Sequence, residues 1–94
     1  MDLNIEHKQN DRRGVILIEG ESGIISELTY SIKDKTLVID HTETKIKEEG
    51  KGLASKLVAF SVKYARENNY KIEPLCPFAE VQFDRHPEYS DVRA

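Results

Sequence analysis

The stretch EEGKGLASKL, residues 48–57, stands between a β-rich segment and a run of residues with helical spacing. It places a glycine on each side of Lys51, just before apolar residues with helical spacing. The first turn of a helix presents backbone N–H groups that have no partner within the helix, together with a partial positive charge. Glycines at this point let an anion approach the backbone closely. The stretch therefore predicts either an anion site at a helix start or an ordinary flexible entry to the helix.

The residues that follow predict an amphipathic helix. Apolar side chains recur at spacings of three and four, at Leu53, Leu57, Phe60 and Tyr64. We expect this helix to cover residues 50–67. Asn68 or Asn69 can then take the left-handed conformation that ends a helix.

The segments on both sides of this helix predict strands. Four β-rich stretches separated by short turns precede it, at residues 3–9, 15–20, 24–32 and 36–44. A strand over residues 70–76 should lie parallel to the one before the helix, because a crossover helix joins them. Pro77 fits the first turn of a second helix over residues 78–85, and the last nine residues show no clear element. We expect one face of the third strand to carry Ile24, Ser26, Leu28, Tyr30 and Ile32.

Length and composition bound the possible functions. A chain of 94 residues predicts a single domain over residues 1–94, and the order β-β-β-β-α-β-α predicts an α/β fold with a mixed, mostly antiparallel sheet. The net charge of −3 argues against a broad nucleic-acid-binding surface, which needs many cations. No apolar run reaches the ~20 residues that cross a bilayer, so no membrane partner is expected. One cysteine cannot form an internal disulfide, and we expect a cytoplasmic location by default.

Together with its flanks, the opening stretch resembles a known family. The segments VIDHTET, EGKGLASKLVAFSVKYAREN, YKIEPLCPF and RHPEYSDV resemble a minimal single-domain branch of the GNAT superfamily of N-acyltransferases. The superfamily signature [Gln/Arg]-x-x-Gly-x-[Gly/Ala] falls on residues 49–54, where Gly52 and Ala54 match and Glu49 departs. An anionic side chain repels a phosphate unless it points to solvent. We therefore expect phosphate contacts from the amides of residues 50–54.

The resemblance implies a cofactor and a reaction. In this superfamily the strands before and after the signature helix splay apart, and acetyl-CoA lies in the cleft between them. This implies an N-acetyltransferase that moves an acetyl group from acetyl-CoA (CoA) to an unidentified amine acceptor. The chain has no room for the two helices that usually follow the first strand and help to bind the acceptor. The resemblance therefore supports cofactor binding better than it supports a particular mode of acceptor recognition. The implied cofactor-binding residues are Thr42, Glu49, Gly50, Lys51, Gly52, Leu53, Ala54 and Lys56.

His41 and Cys76 are the expected catalytic residues, because the resemblance puts them near the two lips of the cleft. In direct transfer, the commoner route in the superfamily, the amine attacks acetyl-CoA, and His41 is the first candidate for general base, with His86 second. In the other route Cys76 takes the acetyl group as a thioester and passes it on, assisted by His41. From the residues alone, each also has an ordinary interpretation, as an exposed histidine and a small buried cysteine.

Two other classes of function stay open at this point. The chain could be a non-catalytic module that binds acetyl-CoA or CoA, or an interaction domain that has lost the ligand. No Cys/His spacing indicates a metal site. A monomer is plausible, and the sequence does not determine the oligomeric state.

Overall fold

Five strands and two helices form the described part of the chain, in the predicted order. The computed structural model describes residues 4–94, so residue 3, the predicted start of the first strand, lies outside the described residues. The strands are β1 (Ile5–Gln9), β2 (Arg13–Gly20), β3 (Gly23–Lys33), β4 (Thr36–Thr44) and β5 (Lys71–Pro74). The helices are α1 (Leu53–Asn68) and α2 (Pro77–Arg85), and two 3-10 turns span Ile46–Glu48 and Pro87–Tyr89. The predicted α/β fold is confirmed.

The sheet is mixed, in the spatial order β1-β2-β3-β4-β5. The first four strands pair antiparallel, and β5 lies parallel to β4. This last pairing ends at Ile39 and Pro74. The backbone N–H groups of Leu75 and Cys76 both donate to the carbonyl of Ile39, each at 3.0 Å, and the chain then turns into α2. β5 is therefore shorter than the predicted residues 70–76, and residues 40–44 of β4 extend past it.

A β-bulge at Asp40 changes which side chains of β4 face the helices. Thr29 is paired with His41 and Tyr30 with Ile39, so Asp40 is the extra residue of the strand. Beyond it, Thr42 pairs with the buried Leu28. Side chains of directly opposed residues share a face, so Thr42 faces the helices and His41 faces the opposite side.

A second irregularity lies between β2 and β3 and corrects one prediction. Ile18 pairs with Ser26 and Glu19 with Ile24, which leaves Ile25 as the extra residue. Ile25 packs against the core, whereas Ile24 is 41% exposed. The expectation that Ile24 shares a face with Ser26 is therefore wrong, because the bulge shifts the alternation by one residue.

The hydrophobic core lies between the sheet and the two helices. It is one cluster, made by inward side chains of the strands together with residues of α1, β5, α2 and Val92 near the end of the chain. Tyr30 is fully buried at its centre, and Gly14 leaves room for its ring, since a Cβ there would lie 2.3 Å from the ring. No helix of the described chain is long and apolar enough to cross a membrane.

The last nine residues are more ordered than the sequence predicts. After the turn Pro87–Tyr89, the backbone of Ile72 accepts the N–H of Ala94 at 2.8 Å and donates to the carbonyl of Val92. Arg66 of α1 also binds Asp91, at 2.8 Å. One buried side chain, Val92, anchors this segment, and a single apolar residue gives no periodicity for a sequence to reveal.

Candidate functional site

A cavity of about 500 Å³ lies where β4 extends past the end of β5. Residues 42–44 of β4 form one wall. Residues 48–50 and 52–55, from the loop before α1 and its first turn, form the second. The third wall comes from α2, with Phe78, Gln82 and Arg85. The cavity thus joins the gap in the sheet to the start of α1.

The two glycines of the opening stretch supply bare backbone at this cavity. Gly50 has φ 84° and Gly52, the N-cap of α1, has φ 75°, a conformation that favours glycine. A Cβ added at either position would have no atom within 4 Å. No side chain within residues 4–94 caps α1, so its first N–H groups keep their capacity to bind an anion. The left-handed Gly52 also explains why α1 begins at Leu53 and not at the predicted residue 50.

Six of the eight predicted cofactor-binding residues line this cavity, namely Thr42, Glu49, Gly50, Gly52, Leu53 and Ala54. The other two, Lys51 and Lys56, are exposed and do not line it. Lys51 is bound to Glu48, with 2.9 Å between Nζ and Oε1. The charge of Lys51 is therefore paired with the carboxylate of Glu48.

The basic side chain that does line the cavity is Arg85 of α2, which the predicted set lacks. None of the ion pairs among the described residues includes it. Phe78, Gln82 and Arg85 are four and three residues apart, which places them on one side of a helix. That spacing was present in the sequence and is the signal by which this wall could have been found.

Cys76 lies beside the cavity and contacts one of its walls. The thiol is buried at the N-cap of α2, and its Sγ is 3.3 Å from Oγ1 of Thr42. Burial acts to raise the pKa of this thiol. The hydrogen bond with Thr42 and the backbone N–H groups of Ala79 and Phe78 outweigh that effect, so the pKa of Cys76 is lowered from its ordinary value.

The structure does not bring His41 to Cys76. The His41 side chain is 55% exposed on the opposite face of the sheet, with Nε2 3.5 Å from Oε1 of Glu43. His86 does not line the cavity either, and binds Glu88 at 3.0 Å while stacking on Tyr89. Within residues 4–94, no three His, Cys, Asp or Glu side chains group closely enough to hold a metal ion.

The chain is similar to known N-acetyltransferases in sequence and in fold. The model of the family "GCN5-related N-acetyl-transferase" matches residues 13–92. The solution structure of a GCN5-like candidate N-acetyltransferase from Staphylococcus aureus is 32% identical, with a TM-score of 0.70, over 97% of this chain and 89% of that one.

A ribosomal-protein-alanine N-acetyltransferase from Brucella melitensis biovar Abortus shares the fold at 16% identity. Its TM-score is 0.59, over 92% of this chain and 66% of that one. The search among curated proteins gives no match. On the family match and the 32% identity, the chain belongs to the GCN5-related N-acetyl-transferase family.

Proposed function

We propose that this chain is an acetyl-CoA-dependent N-acetyltransferase whose cofactor site is the cavity between β4 and α2. The observation that carries the proposal is the uncapped start of α1, with two left-handed glycines, facing that cavity. Its volume of about 500 Å³ lies within the ~300–1,000 Å³ usual for small-molecule sites. We further propose that residues 1–94 act as one domain, with a cytoplasmic location following from the single cysteine.

The residues present fit a pyrophosphate and an extended arm. The backbone of residues 50–54 offers N–H donors with no side chain in the way at Gly50 and Gly52. Arg85 adds a positive charge from the facing wall. In the described part of the chain, residues 40–44 of β4 have no strand beside them on the β5 side, and an open strand edge binds an extended chain through its backbone groups.

Glu49 remains the departure from the family signature. Its side chain is exposed, and the neighbouring Glu48 is bound by Lys51. These arrangements reduce the repulsion that two carboxylates would exert on a phosphate. Glu49 is therefore proposed to contribute its backbone to the site rather than its side chain.

Acetyl-CoA supplies an acetyl thioester to this cleft. In direct transfer, the nitrogen of the acceptor amine bonds to the acetyl carbon, the C–S bond breaks, and the CoA thiolate leaves. His41 is the proposed base that takes the amine proton, and its exposed position requires the amine to approach from the face opposite the helices.

In the alternative route, the Cys76 thiolate bonds to the acetyl carbon, the C–S bond of acetyl-CoA breaks, and the CoA thiolate leaves. The amine then bonds to the acetyl carbon, Cys76 leaves as its thiolate, and the amine proton passes to solvent. The lowered pKa of Cys76 supports this route. The hydrogen-bond partner of the thiol is Thr42 and not His41, so this hydrogen bond does not support a role for His41 in activating Cys76. Intact-mass analysis after incubation with acetyl-CoA, without acceptor, separates the routes: one added acetyl group on wild type and none on Cys76→Ala supports the thioester.

Thermal unfolding tests the proposed function. At about 100 times its dissociation constant, acetyl-CoA should stabilise the fold by about 2.7 kcal/mol, which corresponds to several degrees for a domain of this size. A shift with acetyl transfer to an amine supports the enzyme. A shift without transfer to any amine in a broad screen would favour a non-catalytic CoA-binding module. No shift with acetyl-CoA or CoA would leave an interaction domain.

A further inference from the structure

The face of the sheet opposite α1 and α2 is not covered by any element of the described chain. Both helices pack on the core cluster, which is built from inward side chains of the strands. Leu17 is buried but stands outside that cluster, because it points to the opposite side and lies among neighbouring strand side chains. We call this uncovered surface the outer face.

One end of the outer face is strongly acidic. The register aligns Glu6, Leu17, Glu27 and Glu43 in one row across β1 to β4. Glu19 lies next to this row, and its hydrogen bond and charge raise the pKa of Glu6. Farther along the same face, Arg13 is bound to Asp40 at 3.0 Å, and the charge of Lys8 acts to lower the pKa of Glu6 but is outweighed by Glu19. Among the described residues, no ion pair joins a lysine or arginine to Glu6, Glu19, Glu27 or Glu43.

The acidic row continues to the proposed active site. Glu43 belongs to the row and also lines the cavity. His41, the proposed base, stands next to it on the outer face, 3.5 Å away. The basic side chain that lines the cavity, Arg85, stands on the wall formed by α2 and not on the outer face. An anionic cofactor and a cationic acceptor would thus meet surfaces of opposite charge.

We propose that the acidic row on the outer face docks a lysine-rich polypeptide segment and presents its amine to His41. This inference rests on the proposed function and gives its acceptor a chemical class. Four strands about 4.8 Å apart span about 14 Å, the reach of about four extended residues. The outer face is an open sheet surface, whereas small ligands bind in concave sites. The acidic row therefore suits a polypeptide better than a free polyamine. A second copy of this chain would bring a like-charged face to the row and be repelled.

A labelled ten-residue peptide with lysine at alternate positions is the probe. Its binding to the full chain is measured by fluorescence anisotropy at low and at physiological ionic strength, and amide shifts of the ¹⁵N-labelled chain map the contact. The test variant is Glu6→Gln/Glu19→Gln/Glu27→Gln, which leaves the cavity residues in place. The matched control is Asp34→Asn/Glu67→Gln/Glu80→Gln, which removes the same charge from exposed positions outside the row.

We expect amide shifts on β1 to β4 and an affinity about tenfold lower in the test variant, since three exposed charge pairs are lost. The control variant should bind within about twofold of wild type. Equal binding by the test variant and wild type, or shifts confined to the helices, would overturn the proposal. So would displacement of the peptide by an equal concentration of spermine, which would indicate a polyamine site.

The acetyl-CoA melting shift, measured on the same variants, separates this proposal from the proposed function. The shift should be the same in wild type and the test variant, because Glu6, Glu19 and Glu27 do not line the cavity. Peptide binding to the row without any acetyl-CoA shift would keep the docking surface and reject the enzyme. An acetyl-CoA shift without peptide binding would keep the cofactor site and reject the docking surface.

Discussion

Asp40 is the single residue that decides which side chains meet at the site. As the extra residue of the bulge, it turns Thr42 toward Cys76 and leaves His41 on the outer face. Its carboxylate is held there by Thr29, at 2.6 Å, and by Arg13. The sequence predicts a strand at this point, but a period of two does not reveal where an extra residue enters. The sequence therefore does not show that His41 is turned away from Cys76.

At the residue scale, we predict that Thr42→Val raises the pKa of Cys76. The substitution keeps the shape of the side chain and removes the hydrogen bond that lowers the pKa. The rate of alkylation by iodoacetamide should then rise at a higher pH than in wild type, because the thiolate is the reactive form.

Thr44→Val is the matched control for this prediction. Thr44 lines the same cavity, but its hydroxyl is bonded to Ser26 at 2.9 Å. Its alkylation profile should follow wild type. Identical profiles for Thr42→Val and wild type would mean that Thr42 does not set the reactivity of Cys76.

At the element scale, the start of α1 needs a left-handed backbone at Gly52 and leaves open space around that residue. A bulky residue at Gly52 would fill the space that a phosphate needs, but the φ of 75° means that most side chains also cost folding energy there. Asparagine tolerates this conformation better than other residues do. It is therefore the sharper substitution.

We predict that Gly52→Asn weakens acetyl-CoA binding by about tenfold or more while unfolding free energy falls by about 1 kcal/mol or less. The new side chain would project into space that the proposed phosphate needs, with no protein atom nearby. Calorimetric titration and unliganded thermal unfolding give the two values. Gly23→Asn, at the start of β3 and away from the cavity, should bind normally. Normal binding by Gly52→Asn would remove the phosphate site from the start of α1.

The attachment of β1 to the fold depends on a histidine among aromatic rings. His7 Nε2 lies 2.6 Å from the hydroxyl of Tyr30, and its ring packs edge-on against Phe60 and Tyr64. Gln9 accepts hydrogen bonds from the hydroxyls of Tyr30 and Tyr64. Burial lowers the pKa of His7 below its ordinary 6.5, so the fold favours the neutral ring.

We predict that stability falls as the pH drops through about 6.5, the unfolded value, because the unfolded chain then binds a proton that folded His7 resists. Above that pH the full contribution is present. Urea midpoints at pH 7.5 and 5.5 measure the change, and His7→Gln, which cannot titrate, should show a smaller change than wild type. An equal change in both proteins would assign the pH dependence to other groups.

At the scale of the whole molecule, the sequence predicted the order of elements and the class of the sheet. Hydrophobic period, turn residues and the crossover helix were sufficient for that, because each is a local signal. The walls of the cavity needed three separate segments to meet, which depends on the length of the β4–β5 pairing. Arg85 was therefore left out of the predicted site, and Lys51 and Lys56 were included although they lie outside the cavity.

A titration of the ¹⁵N-labelled chain with CoA, followed by amide chemical shifts, tests whether the cavity between β4 and α2 is the cofactor site. We predict saturable shifts that are largest at residues 42–44, 50 and 52–54, with further shifts at Phe78, Gln82 and Arg85, because these residues line the cavity. No saturable shift at millimolar CoA, or saturable shifts away from these residues, would contradict the assignment of the cavity as the cofactor site.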